Sequence, residues 1–132
     1  MSDQVPADLR YTKEHEWVRA DGAEVAVGIT AFAVAQLGDI TLVNLDVKVG
    51  DEVTAGKPFG TIESVKTLSD LYAPVAGKVV RVNDRLASNP EIVNEDCFGK
   101  AWMIVIVPKD MRALDALMDA KAYGEHVKTA EH

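Results

Sequence analysis

The sequence predicts a mainly-β fold: a sandwich or flattened barrel of short strands, with a short helix in the N-terminal half and another at the C-terminal end. Three observations lead there. Short apolar stretches rich in β-branched residues, such as Ile40-Thr41-Leu42-Val43-Asn44-Leu45, have strand composition. They recur at regular spacing between turn signals, among them Asp21-Gly22, Val49-Gly50-Asp51 and Ala55-Gly56-Lys57-Pro58, and do not alternate with long helices as βα units do. Helical spacing of apolar residues appears in two places only, after Thr30 and after Asp110.

In chain order, residues 1–9 are polar with Pro6 and are expected to be loose. An edge strand is expected from Tyr11 to Val18, and Asp21-Gly22 turns it into a second strand over 23–27, where Val25 and Val27 alternate with smaller residues. Thr30 suits an N-cap, Ile29 and Val34 a hydrophobic staple, and Gly38 the left-handed residue after a helix, so 31–37 is predicted helical. Strands follow over 40–45 and 59–62, with 68–72 as the return of a hairpin and Lys66 near its tip. Lys78 to Asn83 alternates as a further strand. Asn89 as N-cap with Pro90 behind it predicts one helical turn through Val93. Ala101 to Val107 closes the sheet before Pro108. Leu114, Leu117, Met118 and Ala122 then predict a helix over 110–123, stopped by Gly124, with a frayed tail over 124–132.

With 132 residues, 48% of them hydrophobic, the chain suits a single domain with a real core. Fourteen basic against 21 acidic residues give a net charge of −7, which argues against nucleic-acid binding, because phosphate neutralisation needs clustered Lys and Arg. A lone cysteine excludes an internal disulfide. The first residues lack the order of a signal peptide, and no apolar run is long enough to span a bilayer, so the expectation is a cytoplasmic protein without membrane contact. Nothing resembles a nucleophilic triad, a zinc ligand set or a phosphate loop, and His15, His126 and His132 are scattered. No catalytic residue and no metal site are expected.

The stretch that carries chemistry is Glu63-Ser64-Val65-Lys66-Thr67. A lysine at a strand turn is ordinarily a solvated charge. Here glycines at 50, 56 and 60 precede it and Pro74 and Gly77 follow, an arrangement that resembles the lysine-presenting hairpin of biotinyl and lipoyl carrier domains. The wording Glu-Ser-Val-Lys, with Leu71-Tyr72-Ala73-Pro74-Val75-Ala76-Gly77-Lys78-Val79, resembles one branch of them, the H-protein family of the glycine cleavage system. Ile29-Thr30, Leu37-Gly38-Asp39-Ile40 and the Glu14-His15-Glu16-Trp17 segment are similar to the same family. Asn94-Glu95-Asp96-Cys97-Phe98-Gly99 resembles its Asn-Glu-Asp-Pro-Tyr-Gly, with Cys97 and Phe98 replacing proline and tyrosine. Asp46-Val47-Lys48 also departs from a proline that many members carry there. The resemblance runs from about residue 10 to residue 123.

That resemblance implies a barrel-sandwich hybrid with lipoate joined to Lys66 as an amide, and Glu63, Ser64, Val65 and Thr67 as the flank that a lipoate ligase or lipoyl transferase reads. It implies a monomeric carrier without catalysis of its own. Its partners would be a pyridoxal-phosphate-dependent glycine decarboxylase, a tetrahydrofolate-dependent aminomethyltransferase and dihydrolipoamide dehydrogenase, between which an aminomethyl group and reducing equivalents pass. Such a loaded arm ends in an ammonium, which a carboxylate near its resting place would stabilise; Glu14 is the candidate, or else a solvated strand-edge charge. Glu63 and Asp70 are the other carboxylates near the lysine, for recognition or simple hydration. Other readings remain: a lipoyl donor to other proteins, a biotin or 2-oxoacid-dehydrogenase-type carrier, or a binding module whose lysine is never modified. Against the second, Val65 and Thr67 stand where biotinyl domains usually have methionines, and neither Asp-Lys-Ala nor a Pro/Ala-rich linker is present.

Overall fold

Alternating buried and exposed residues build two antiparallel sheets whose apolar faces share one core. The computed structural model describes residues 6–130. Its strands are β1 (Arg10–Tyr11), β2 (Glu16–Asp21), β3 (Glu24–Ile29), β4 (Ile40–Leu45), β5 (Glu52–Val53), β6 (Pro58–Ser64), β7 (Leu68–Tyr72), β8 (Gly77–Val82) and β9 (Ile104–Pro108). Six of them form a sheet of order β1-β2-β3-β9-β8-β5 and three form a sheet of order β4-β6-β7. The sheets do not close on one another. Val27, Val79 and Ile106 from the larger and Val43, Ile62 and Leu71 from the smaller are buried in the same cluster. Each such side chain contributes about 1.5–3 kcal/mol by leaving water.

The first helix follows its sequence signals. α1 (Ala31–Leu37) starts at Thr30, whose Oγ accepts from the Ala33 N–H at 3.3 Å, and Gly38, at φ 82°, donates its N–H to the Val34 carbonyl at 2.9 Å.

Elsewhere the boundaries differ from expectation, each for a local reason. The edge strand expected over 11–18 is interrupted: the chain reverses over 12–15, so that Arg10 and Tyr11 pair with Val18 and Trp17. Thr12 makes that reversal, donating its N–H to the Glu16 carbonyl and accepting from the His15 and Glu16 N–H groups at its own carbonyl and hydroxyl. Residues 89–93 do not start at Asn89. Two short turns flank the proline, α2 (Arg85–Ser88) and α3 (Ile92–Glu95), with Leu86 and Val93 buried beneath them. The last strand begins at Ile104, because Trp102 and Met103 belong to the loop that leads into it.

The C-terminal helix is displaced. Asp110 caps a 3₁₀ segment, Met111–Ala116, and Leu117 is extended. Met118 then exchanges two backbone hydrogen bonds with Tyr11, at 2.8 and 2.9 Å, which no helical residue could do. Only after this bridge does α4 (Ala120–Ala130) begin, with Asp119 Oδ1 accepting from the Ala122 N–H at 2.8 Å. The stretch read as frayed is therefore helical through residue 130, Gly124 lies inside it, and Val127 is buried. Residues 131–132 lie outside the described part. At the other end, 1–5 of the segment expected to be loose also lie outside it, whereas Leu9 is buried.

A second apolar cluster joins these ends, containing Leu9, Tyr11, Trp17, Phe32, Tyr123 and Val127. Tyr11 and Tyr123 stack at 4.5 Å. Trp17 lies flat across its cross-strand partner Gly28, and its indole N–H donates to the Cys97 carbonyl at 2.8 Å. Cys97 itself is half-buried, and burial pushes its thiol up to about 11, as suits a turn residue and not a nucleophile.

A Cβ on residue 28 would lie 2.5 Å from Trp17 Cζ2. Gly28→Ala is therefore expected to destabilise the fold by about 1–3 kcal/mol through overpacking, read as a lower urea midpoint with an unchanged m-value.

Candidate functional site

The hairpin tip is built by a side chain. In the β6–β7 ladder Glu63 faces Leu68, and the Ser64 N–H donates to the Thr67 carbonyl at 2.8 Å, leaving Val65 and Lys66 as a two-residue loop. Neither loop residue has a positive φ, so the loop is not the type I′ turn that best matches strand twist. Ser64 compensates: its buried Oγ accepts from the N–H groups of both Lys66 and Thr67 at 3.2 Å. A further bond, from the Val65 N–H to the Asp39 carbonyl at 3.1 Å, fastens the tip to the connection between α1 and β4.

Lys66 is exposed, and its aliphatic stem passes over Gly38, where a Cβ would sit 3.5 Å from Lys66 Cε. Among the described residues it makes no ion pair. The primary amine thus stands at the tip of a hydrogen-bonded hairpin, without an ion-pair partner among the described residues. Around it Val65, Leu68 and Leu42 expose apolar side chains, and Leu42, Glu63 and Leu68 form one cross-strand row on the outer face of the smaller sheet.

On the other side of the hairpin lies a cleft of about 390 Å³. Thr67, the residue after Lys66, lines it, together with the carboxylates of Glu14, Glu16 and Asp70 and an apolar floor that includes Leu37 and Ile62. Of the residues singled out from sequence, Glu14, Thr67 and Asp70 meet at this cleft, whereas Glu63, Ser64, Val65 and Lys66 do not line it.

Glu16 was not legible as a site residue. It is 2% exposed, yet both carboxylate oxygens are used: Oε1 accepts from the Thr12 hydroxyl at 2.8 Å and Oε2 from the Tyr72 N–H at 3.1 Å. Burial pushes its carboxyl up to about 7, against the opposing effect of those two hydrogen bonds. Alternation gave no signal for it, since residues two apart share a strand face; the 12–15 reversal is what leaves Glu14 out and turns Glu16 in.

His15 forms part of the same wall, at φ 69°. Burial, and then the neighbouring His126, hold its imidazole below the usual histidine range. Its Nδ1 lies 2.8 Å from the Tyr123 hydroxyl, which lies 2.7 Å from the Thr30 hydroxyl; burial raises that phenol to about 12. His126, far from hanging in a loose tail, donates from Nε2 to the Lys13 carbonyl at 3.3 Å. Through Tyr123 and His126, α4 braces the cleft wall.

No cluster of His, Cys, Asp and Glu that could hold a metal occurs among the described residues, and no helix there is long and apolar enough to cross a membrane.

The family model of the glycine cleavage H-protein matches residues 9–130. The chain belongs to this family. It is 57% identical over 123 residues to the glycine cleavage system H protein of Geobacillus sp. (strain WCH70), covering 93% of this chain and 96% of that one. To the glycine cleavage system H protein of Myxococcus xanthus it is 53% identical over 123 residues, covering 93% and 95%. A crystal structure of a glycine cleavage system H protein from Mycobacterium marinum superposes with a TM-score of 0.82 at 37% identity, over 97% of this chain and 100% of that one. For an H-protein family member, the free lysine at the tip and the acidic cleft beside it are the two features to explain.

Glu16 gives a pH dependence with a definite sign. Its carboxyl titrates near 4.5 when unfolded and about 7 when folded, so the folded state holds the proton more tightly. The stabilising protonation is fully present below the unfolded value and is lost as pH rises through 7. Compared with Glu16→Gln, which cannot ionise, the wild type should lose on the order of 3 kcal/mol between about pH 4.5 and 7, measured by urea unfolding across that range.

Proposed function

We propose that Lys66 is the residue through which this lipoyl carrier of the glycine cleavage system works, holding lipoate as an amide on its side-chain nitrogen. The observation that carries the proposal is the tip itself: a two-residue loop, locked by Ser64 and Asp39, that presents one primary amine without an ion-pair partner among the described residues. An acylating enzyme needs an accessible amine in a reproducible setting, and a short hairpin fixes the backbone while leaving the side chain in water. Glu63, Ser64, Val65 and Thr67 are then the surface read by a lipoate ligase or lipoyl transferase; Ser64 acts through the turn it holds, and Val65 through its exposed side chain.

The cofactor, when bound, supplies the thiol–disulfide chemistry that accepts an aminomethyl group and is afterwards reoxidised. The protein's part is to position and protect. Its partners are the enzymes of the glycine cleavage system: by our reading glycine decarboxylase, the aminomethyltransferase and dihydrolipoamide dehydrogenase. It contributes no catalytic group of its own, and the net charge of −7 suits docking on basic surfaces.

The cleft fits the second part of that task. Its apolar floor suits a hydrocarbon arm, and Glu14, Glu16 and Asp70 suit an ammonium at the end of one. Glu14 was the sequence candidate and is exposed at the rim; Glu16 is buried within, where water screens a charge pair least.

Incubation with lipoate ligase, lipoate and ATP is expected to add one lipoyl increment, confined to the peptide containing Lys66, and Lys66→Arg is expected to abolish both the increment and glycine–bicarbonate exchange. A biotin increment with biotin ligase and none with lipoate ligase would instead make the chain a biotin carrier. If Glu14→Ala leaves the aminomethyl-loaded form as long-lived as wild type, the role of Glu14 is withdrawn.

A further inference from the structure

The tip is fastened at two places. One is the β6–β7 ladder; the other is the Val65 N–H on the Asp39 carbonyl. The second depends on how the 39–40 peptide is oriented, because Asp39 C=O and Ile40 N–H belong to one rigid planar unit. That unit is held from its opposite side. Asn94 Oδ1 accepts from the Ile40 N–H at 2.9 Å, and Asn94 Nδ2 donates to the Gly38 carbonyl at 2.9 Å. A donor must face the carbonyl and an acceptor must face the N–H, so the side-chain amide has one orientation only. One planar amide therefore spans Asp39 and aims its carbonyl at Val65.

We propose that Asn94 is a positioning residue for enzymatic acylation: by clamping Gly38 and Ile40 it fixes the Asp39 carbonyl, and through it the backbone of Val65 and Lys66. This rests on Lys66 being the acylated residue. Asn94 makes its hydrogen bonds to Ile40 and Gly38 and none to Lys66, and it is supplied by α3, a separate short turn anchored by the buried Val93. Asn94 is itself exposed and outside the core; its bond to Gly38 lies at the surface and its bond to Ile40 is partly buried. Asn94 also holds the Gly38 carbonyl, and the stem of Lys66 passes over Gly38. The Asn-Glu-Asp segment thereby acquires a task that its turn composition alone does not suggest.

The test measures kcat and KM for lipoylation by lipoate ligase on wild type, Asn94→Ala and Asn94→Asp, with amide exchange of Val65 and Ile40 followed in parallel. Acetylation of Lys66 by a small activated ester serves as the control for bare amine reactivity. Asn94→Ala is expected to lower kcat/KM about tenfold, to speed exchange at both amides and to leave the small-reagent rate unchanged. Asn94→Asp keeps an acceptor for Ile40 and loses the donor to Gly38, so it should fall between the two, and it decides the matter should Asn94→Ala fail to unfold cooperatively. Wild-type kcat/KM in the folded variants overturns the role of Asn94 and leaves Lys66 untouched. Wild-type protein that takes no lipoyl group at Lys66 overturns both readings.

Discussion

An open sheet must satisfy its edges, and the edge strand β7 sets the terms for the rest of this molecule. Ser64 and Thr67 close the hairpin by hydrogen bonding, so by alternation the backbone groups of Leu68, Asp70 and Tyr72 face away from β6. Another strand there would fill the space beside the lysine. The chain instead brings in a carboxylate: Glu16, from the first strand after the 12–15 reversal, accepts from the Tyr72 N–H. One side chain thus joins the larger sheet to the edge of the smaller one, and a cleft remains between them. Burial of that carboxylate follows from the arrangement and raises its proton affinity, which places a titrating group in the wall of the cleft at neutral pH.

The same wall depends also on the C-terminal helix. Tyr123 stacks on Tyr11 and reaches His15 and Thr30 with a single hydroxyl, so the α1 cap, the first turn and α4 meet at one buried oxygen. Satisfied buried networks of this kind select one geometry, since breaking any member strands the others. The helix that looks like an appendage in chain order is part of the frame around the cleft.

What the sequence made legible follows from how local each cause is. α1 was readable because its cap, staple and terminal glycine all lie within ten residues of one another. The hairpin around Lys66 was readable from its alternation, and the lysine from its motif. The first turn and the final helix were misjudged for one shared reason: the bridge between Tyr11 and Met118 joins residues at opposite ends of the chain. It ends one strand early and forces Met118 out of a helical period that the apolar spacing seemed to include. Glu16 was missed because a carboxylate is by habit an exposed residue. Its burial depends on the Tyr72 N–H, which no window around residue 16 contains.

The isolation of Lys66 bears on the acylation proposed for it. Its ammonium contributes to no ion pair among the described residues, so converting it to an amide removes a charge without orphaning a counter-charge. On the proposed acylation of Lys66 the fold is indifferent to the change, since no ion pair among the described residues depends on the ammonium. The difference it would make is at long range: the net charge of −7 would become one unit more negative, at the hairpin tip.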